Sequence, residues 1–124
     1  MTVEDFIEKL EGWINHAVDQ DDKYAFQDPA YDLIEEIEDS KEAFDFVEPI
    51  FHLIERSPEI DYGAPGPFGS FLEKFYHKGY EEKLIDSLKR QPKEYTVFLL
   101  HRLSNDTKNP KVEEYKKILK SFEN

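Results

Sequence analysis

The chain has 124 residues, no cysteine and a net charge of −12. That length predicts a single domain, residues 1–124, large enough to bury a real core. The lack of cysteine excludes a disulfide framework and a thiolate metal site, and the negative charge argues against nucleic acid or an anionic membrane as direct partner.

Apolar residues make up 39% of the chain and aromatics 15%. They recur periodically, which argues against disorder despite the charge. The first 20 residues carry acids and no apolar block, and no apolar run approaches bilayer length, so the chain reads as soluble and cytoplasmic.

The first predicted helix follows Thr2. Val3, Phe6, Ile7, Leu10, Trp13, Ile14, Ala17 and Val18 form an i, i+3, i+4 stripe, Thr2 with Asp5 resembles a capping box, and the run Asp19 to Asp22 ends the helix. A second helix is predicted from "DPAYDLIEEIED", with Asp28 as N-cap, Pro29 first, and Leu33, Ile34 and Ile37 inward. A third begins near Ser40, with Phe44, Val47, Ile50, Phe51 and Ile54 inward. Pro49 either kinks it or marks a new helix after Val47.

"DYGAPGPFGSF" (61–71) gathers three of the five glycines, Gly63, Gly66 and Gly69, around Pro65 and Pro67. It reads as a structural corner: glycine permits positive φ, Pro67 suits a first helical turn, and Gly69 permits close approach. Such a corner can also present Tyr62, Phe68 and Ser70. The next helix carries Phe68, Phe71, Leu72 and Phe75 and is expected to close at Gly79. Three more follow: Tyr80 to Arg90, one opened by Pro92 and ending near Leu103, and one opened by Pro110. In "FLLHRLSND", His101 and Arg102 complement a helix C-terminus, Asn105 suits a left-handed cap, and Arg102 can bridge to an acidic residue and fix the corner.

The fold class is therefore all-α, with six to seven amphipathic helices. They are arranged as a compact bundle or a short, irregular solenoid that resembles HEAT repeats in its proline-opened helix pairs.

Motifs for catalysis are missing. No nucleophile elbow, phosphate loop or His-Glu-x-x-His pattern occurs. Glu48, His52 and Glu55 share a helix face and could ligate zinc or iron, which keeps a metal-dependent hydrolase as one alternative. The reading preferred has no catalytic residue, no metal and no cofactor. The four histidines are otherwise surface or partly buried groups, and Ser40, Ser57, Ser87, Ser104 and Ser121 fit caps or helix surfaces.

Charge is distributed unevenly. Residues 1–62 hold 19 acidic and 4 basic residues, a net of −15, and residues 63–124 hold 9 acidic and 12 basic residues, a net of +3. A surface so polarised steers a basic partner.

Residues 63–106 resemble a segment of small helical bacterial immunity proteins, which are encoded beside secreted polymorphic toxins. The likeness rests on Gly63, Gly66 and Pro67, on Gly79 and Tyr80, on Leu84, Ser87, Arg90 and Pro92, and on Thr96, Arg102 and Asn105. His101 stands where the pattern has Asn, and Phe68-Gly69 replaces bulkier apolar residues. The resemblance covers about a third of the chain. It implies a protein that binds and neutralises a cognate toxin and is not an enzyme.

Joined to the charge pattern, this makes Asp19, Asp21, Asp22, Asp28, Asp32, Glu35, Glu36 and Asp39 the expected partner-binding face, with Tyr24, Phe26 and Tyr31 as aromatic anchors. A HEAT-like adaptor or regulatory module with another protein partner is the alternative.

Overall fold

The computed structural model describes residues 1–122 and is all-helical, with no strand among them. Seven α-helices follow in order: α1 Val3–Asp19, α2 Gln27–Ile37, α3 Val47–Arg56, α4 Gly66–Leu72, α5 Tyr80–Arg90, α6 Glu94–Ser104 and α7 Val112–Lys120. A 3₁₀ turn, Ala43–Phe46, leads into α3, and another, Glu73–Phe75, follows α4.

α1 begins where its cap predicts, with Thr2 Oγ1 accepting from the Asp5 amide at 3.1 Å. Several other starts differ from expectation, each for a local reason. Asp22 Oδ1 accepts from the Tyr24 amide and turns the chain early, so α2 opens at Gln27 and Asp28 lies in its first turn. Pro29 and Pro49 are each the third residue of their helix, where no intrahelical N–H is needed. The third segment is therefore a 3₁₀ turn followed by a new, unkinked helix from Val47.

Pro92 and Pro110 lie outside their helices. The Lys93 amide is held by Thr96 Oγ1 at 3.0 Å before α6, and the Lys111 amide by Asn109 Oδ1 at 2.9 Å before α7. Gly79 does not close α4, which stops at Leu72; with φ +112° it is the N-cap of α5. A Cβ at Gly79 would come within 2.7 Å of Phe44. Asn105 is right-handed, at φ −83°.

The helices enclose one continuous core. Phe6, Leu10, Phe26, Val47, Phe51, Phe68, Leu72, Tyr80 and Leu99 are all fully buried within it. α2 packs on α4 and α3 on α5, each two steps along the chain, while α1 touches α2 and α3 and the chain finishes α5–α6–α7. A step of two is the pairing that stacked helix pairs use.

The α1 stripe does not bury completely. Trp13 is 41% and Val18 51% exposed. They lie five residues apart, roughly 140° around the axis, on opposite edges of an apolar arc wider than its neighbours cover.

Between α3 and α4 the backbone turns at Gly63 (φ +93°) and Gly66 (φ +73°), and the Ala64–Pro65 peptide is cis. A Cβ on Gly63 would stand 2.5 Å from Gly66 Cα, so only glycine fits there. One on Gly69 would fall on Pro65 and 2.9 Å from the Tyr95 hydroxyl. Pro67 occupies the first turn of α4.

Side chains tie this turn to three helices. Asp61 Oδ1 accepts from the Gly63 amide at 2.9 Å and from Gln27 Nε2 of α2 at 3.3 Å. The Tyr62 hydroxyl donates to Ser57 O, at the end of α3, at 2.7 Å. The Tyr95 hydroxyl of α6 donates to Pro65 O. Tyr62 and Phe68 are buried, packed with Phe26 and Tyr95, and do not face a partner, whereas Ser70 is exposed. Arg102 makes a bidentate pair with Glu73, at 2.7 and 2.9 Å, just beyond α4. Tyr95 and Arg102 thus fasten α6 to both ends of the α4 segment.

Candidate partner-binding face

The α1–α2 connection is a tight turn. The Asp21 amide donates to Val18 O and the Asp22 amide to Ala17 O, with Asp21 itself left-handed at φ 51°. Short acidic side chains tolerate that conformation. The turn sets Asp19, Asp21, Asp22 and Tyr24 on the surface.

α2 then buries Ala30, Leu33, Ile34 and Ile37. The helical period leaves Asp28, Tyr31, Asp32, Glu35 and Asp39 outward, one or two per turn, with Glu36 beside them. Ten of the eleven residues expected on the face are exposed. Phe26 is the exception among the expected anchors. It is fully buried, edge-on to Tyr62 and Phe68, and belongs to the core.

These carboxylates lack the counter-charge that several acids at the helix interfaces have. Glu11 pairs with Arg56, Glu38 with Lys74, Glu48 with Lys83, Glu55 with Arg90 and Glu73 with Arg102. Among the described residues, none of the eight carboxylates of the α1–α2 face lies within 4 Å of a basic side-chain nitrogen. Their repulsion is relieved only by solvent and salt, or by a basic partner.

The Glu48, His52 and Glu55 group comes together as the sequence predicts, with His52 3.6 Å from each carboxylate. Both carboxylates already hold cations. Lys83 sits 2.8 Å from Glu48 and, by hydrogen bond and charge, keeps that carboxyl below its ordinary range. Glu55 is buried. Burial pushes its carboxyl up, but hydrogen bonds from Arg90 (2.7 and 3.2 Å) and Ser87 (2.6 Å), with the Arg90 charge, overcome that and hold it low.

The arrangement is an ion-pair network joining α3 to α5, with its ligating oxygens engaged. Ser87, expected on a surface, is fully buried at its centre. Its position between Leu84 and Leu88 on the buried arc was the available signal. Ser104 is likewise buried, donating to Leu100 O at 2.9 Å.

A cleft of about 490 Å³ opens between the turn and the start of α6, over Ile54, Ile60, Tyr62, Tyr95 and Phe98. The hydroxyls of Tyr62 and Tyr95 are both committed to backbone carbonyls, while Lys23, Glu59, Asp61, Lys93 and Glu94 bring charge to its lining.

No helix among the described residues is long and apolar enough to cross a membrane. The chain matches no family model. Comparison with curated proteins finds no match, and comparison with solved structures finds none.

Proposed function

We propose that the protein is an immunity protein that acts by binding a cognate toxin in the cell that makes both. The observation that carries this reading is the surface formed by the α1–α2 turn and α2. It holds eight exposed carboxylates without a basic partner, and two exposed tyrosines, Tyr24 and Tyr31, stand among them. Such a face complements a basic cleft, accelerates encounter with it and offers aromatic anchors once docked.

The residues that carry the likeness to immunity proteins have mainly structural roles here. Gly63, Gly66 and Pro67 form the turn, Ser87 and Arg90 hold Glu55, and Arg102 holds Glu73. They support a shared scaffold that presents a variable face. The reading as a binder and not an enzyme rests on the engaged state of the Glu48–His52–Glu55 group.

The test is neutralisation. The protein is co-expressed with the product of the gene beside its own, and growth is followed. The reading predicts that the neighbour alone arrests growth and that this protein restores it at stoichiometric expression. A harmless neighbour, or an arrest that this protein leaves unchanged, contradicts it.

A further inference from the structure

Among the described residues, the five exposed large apolar side chains are Met1, Trp13, Val18, Tyr24 and Tyr31. All lie in α1, its leading residue, the following turn or α2. The exposed aromatics thus fall on the same two helices and turn as the eight unbridged carboxylates of the partner-binding face. Trp13 is the chain's single tryptophan, the side chain with the most apolar surface to lose from water. Its ring is set edge-on to His16, 5.5 Å between centroids at 88°. Trp13 also lies two residues, roughly 200° around the helix, from Glu11, which faces α3 through Arg56. Trp13 therefore points away from that interface.

Aromatic faces beside unpaired carboxylates suit one kind of cation above others. Guanidinium is planar and weakly hydrated, stacks on indole and phenol rings, and takes a carboxylate through two parallel hydrogen bonds. Ammonium is compact and strongly hydrated. The chain already places one cation against a ring of this face, with Lys23 Nζ 5.3 Å from the Tyr24 centroid.

We propose that Trp13, with Tyr24 and Tyr31, makes the α1–α2 surface selective for arginine, so that its partner presents an arginine-rich basic face. Trp13 is the principal anchor. This rests on the reading of α1–α2 as the partner-binding face, and it adds which chemistry that face selects.

The test uses nona-arginine and nona-lysine peptides of equal charge, titrated into the full-length protein. Calorimetry gives affinity, and the lone Trp13 gives a fluorescence signal at its own position. Nona-arginine is expected to bind about two- to five-fold more tightly per ring engaged and to change the Trp13 emission, and nona-lysine to change it little. Trp13→Leu, which keeps apolar bulk without a ring, should lower nona-arginine affinity towards that of nona-lysine. A thermal melt confirms that the variant is folded. Equal affinities for the two peptides, an unmoved Trp13 emission, or a Trp13→Leu protein with the full arginine preference each overturn the proposal. Neutralisation of the toxin alongside any of those results would leave the immunity reading standing and remove only the arginine selectivity.

Discussion

Three buried tyrosines show how little a residue's type says about its energetics. Tyr62 and Tyr95 each donate a hydrogen bond to a backbone carbonyl of the 57–65 segment, whereas the hydroxyl of fully buried Tyr80 has no partner among the described residues. Burial pushes all three phenols up. Removing a bonded hydroxyl leaves a carbonyl unsatisfied, while removing an orphaned one relieves a desolvation cost. Tyr62→Phe and Tyr95→Phe should therefore each lose about 1 kcal/mol in urea unfolding, and Tyr80→Phe should be neutral or more stable by up to about 1 kcal/mol.

Glu55 supplies the second test at this scale. Its folded carboxyl lies below its ordinary range, so its contribution is complete above about pH 5 and disappears as pH falls through the lowered value. Glu55→Gln should cost about 1.5–3 kcal/mol at pH 7, and unfolding curves between pH 7 and pH 3 should show a shallower acid limb than the parent. The sequence placed Glu55 beside His52 but could not show Arg90 and Ser87 reaching it from α5, because those contacts join positions more than thirty residues apart.

Among elements, helix existence and inward faces were legible because apolar spacing is a local property. Leu33, Ile34 and Ile37, and Phe68, Phe71 and Leu72, are buried as the stripes predict. Helix starts were less legible. Asp28 is a good cap by type, yet the Asp22 turn upstream starts the helix before it is reached. The edges of the α1 stripe were missed for another reason: how wide an apolar arc is covered depends on neighbours that the local pattern does not contain.

Glycine substitutions test the element account in opposite directions. Gly12 lies within α1, and a Cβ there would meet nothing within 4 Å, so Gly12→Ala should stabilise by about 0.5–1 kcal/mol. Gly63→Ala meets both a positive φ and the Gly66 backbone and should destabilise by about 2 kcal/mol or more. Thermal melts of the two variants, compared with the parent, check the contrast.

At the scale of the whole molecule, the charge asymmetry readable in the sequence becomes a surface. The corner between α3 and α4 is where the strongly acidic first half ends. In the second half, Lys74, Lys83 and Arg90 reach back to Glu38, Glu48 and Glu55, and Arg102 pairs with Glu73 within it. Those bridges neutralise the acids near the helix interfaces and leave the α1–α2 face bare. Which acids would be bridged was not visible in the chain, since pairing is decided by tertiary proximity. The consequence for binding is a rate that depends on salt. Association with a basic partner should slow several-fold or more between about 50 and 300 mM salt, while dissociation changes less.

The most direct measurement is affinity capture from a lysate of the native cell with two baits side by side, the parent and the Asp32→Lys, Glu35→Lys variant, with bound proteins identified by mass spectrometry. The account predicts one stoichiometric partner carrying a basic toxin domain, retained by the parent and lost or strongly depleted with the variant. The same partner held equally by both baits, or no protein partner on the parent, would contradict it.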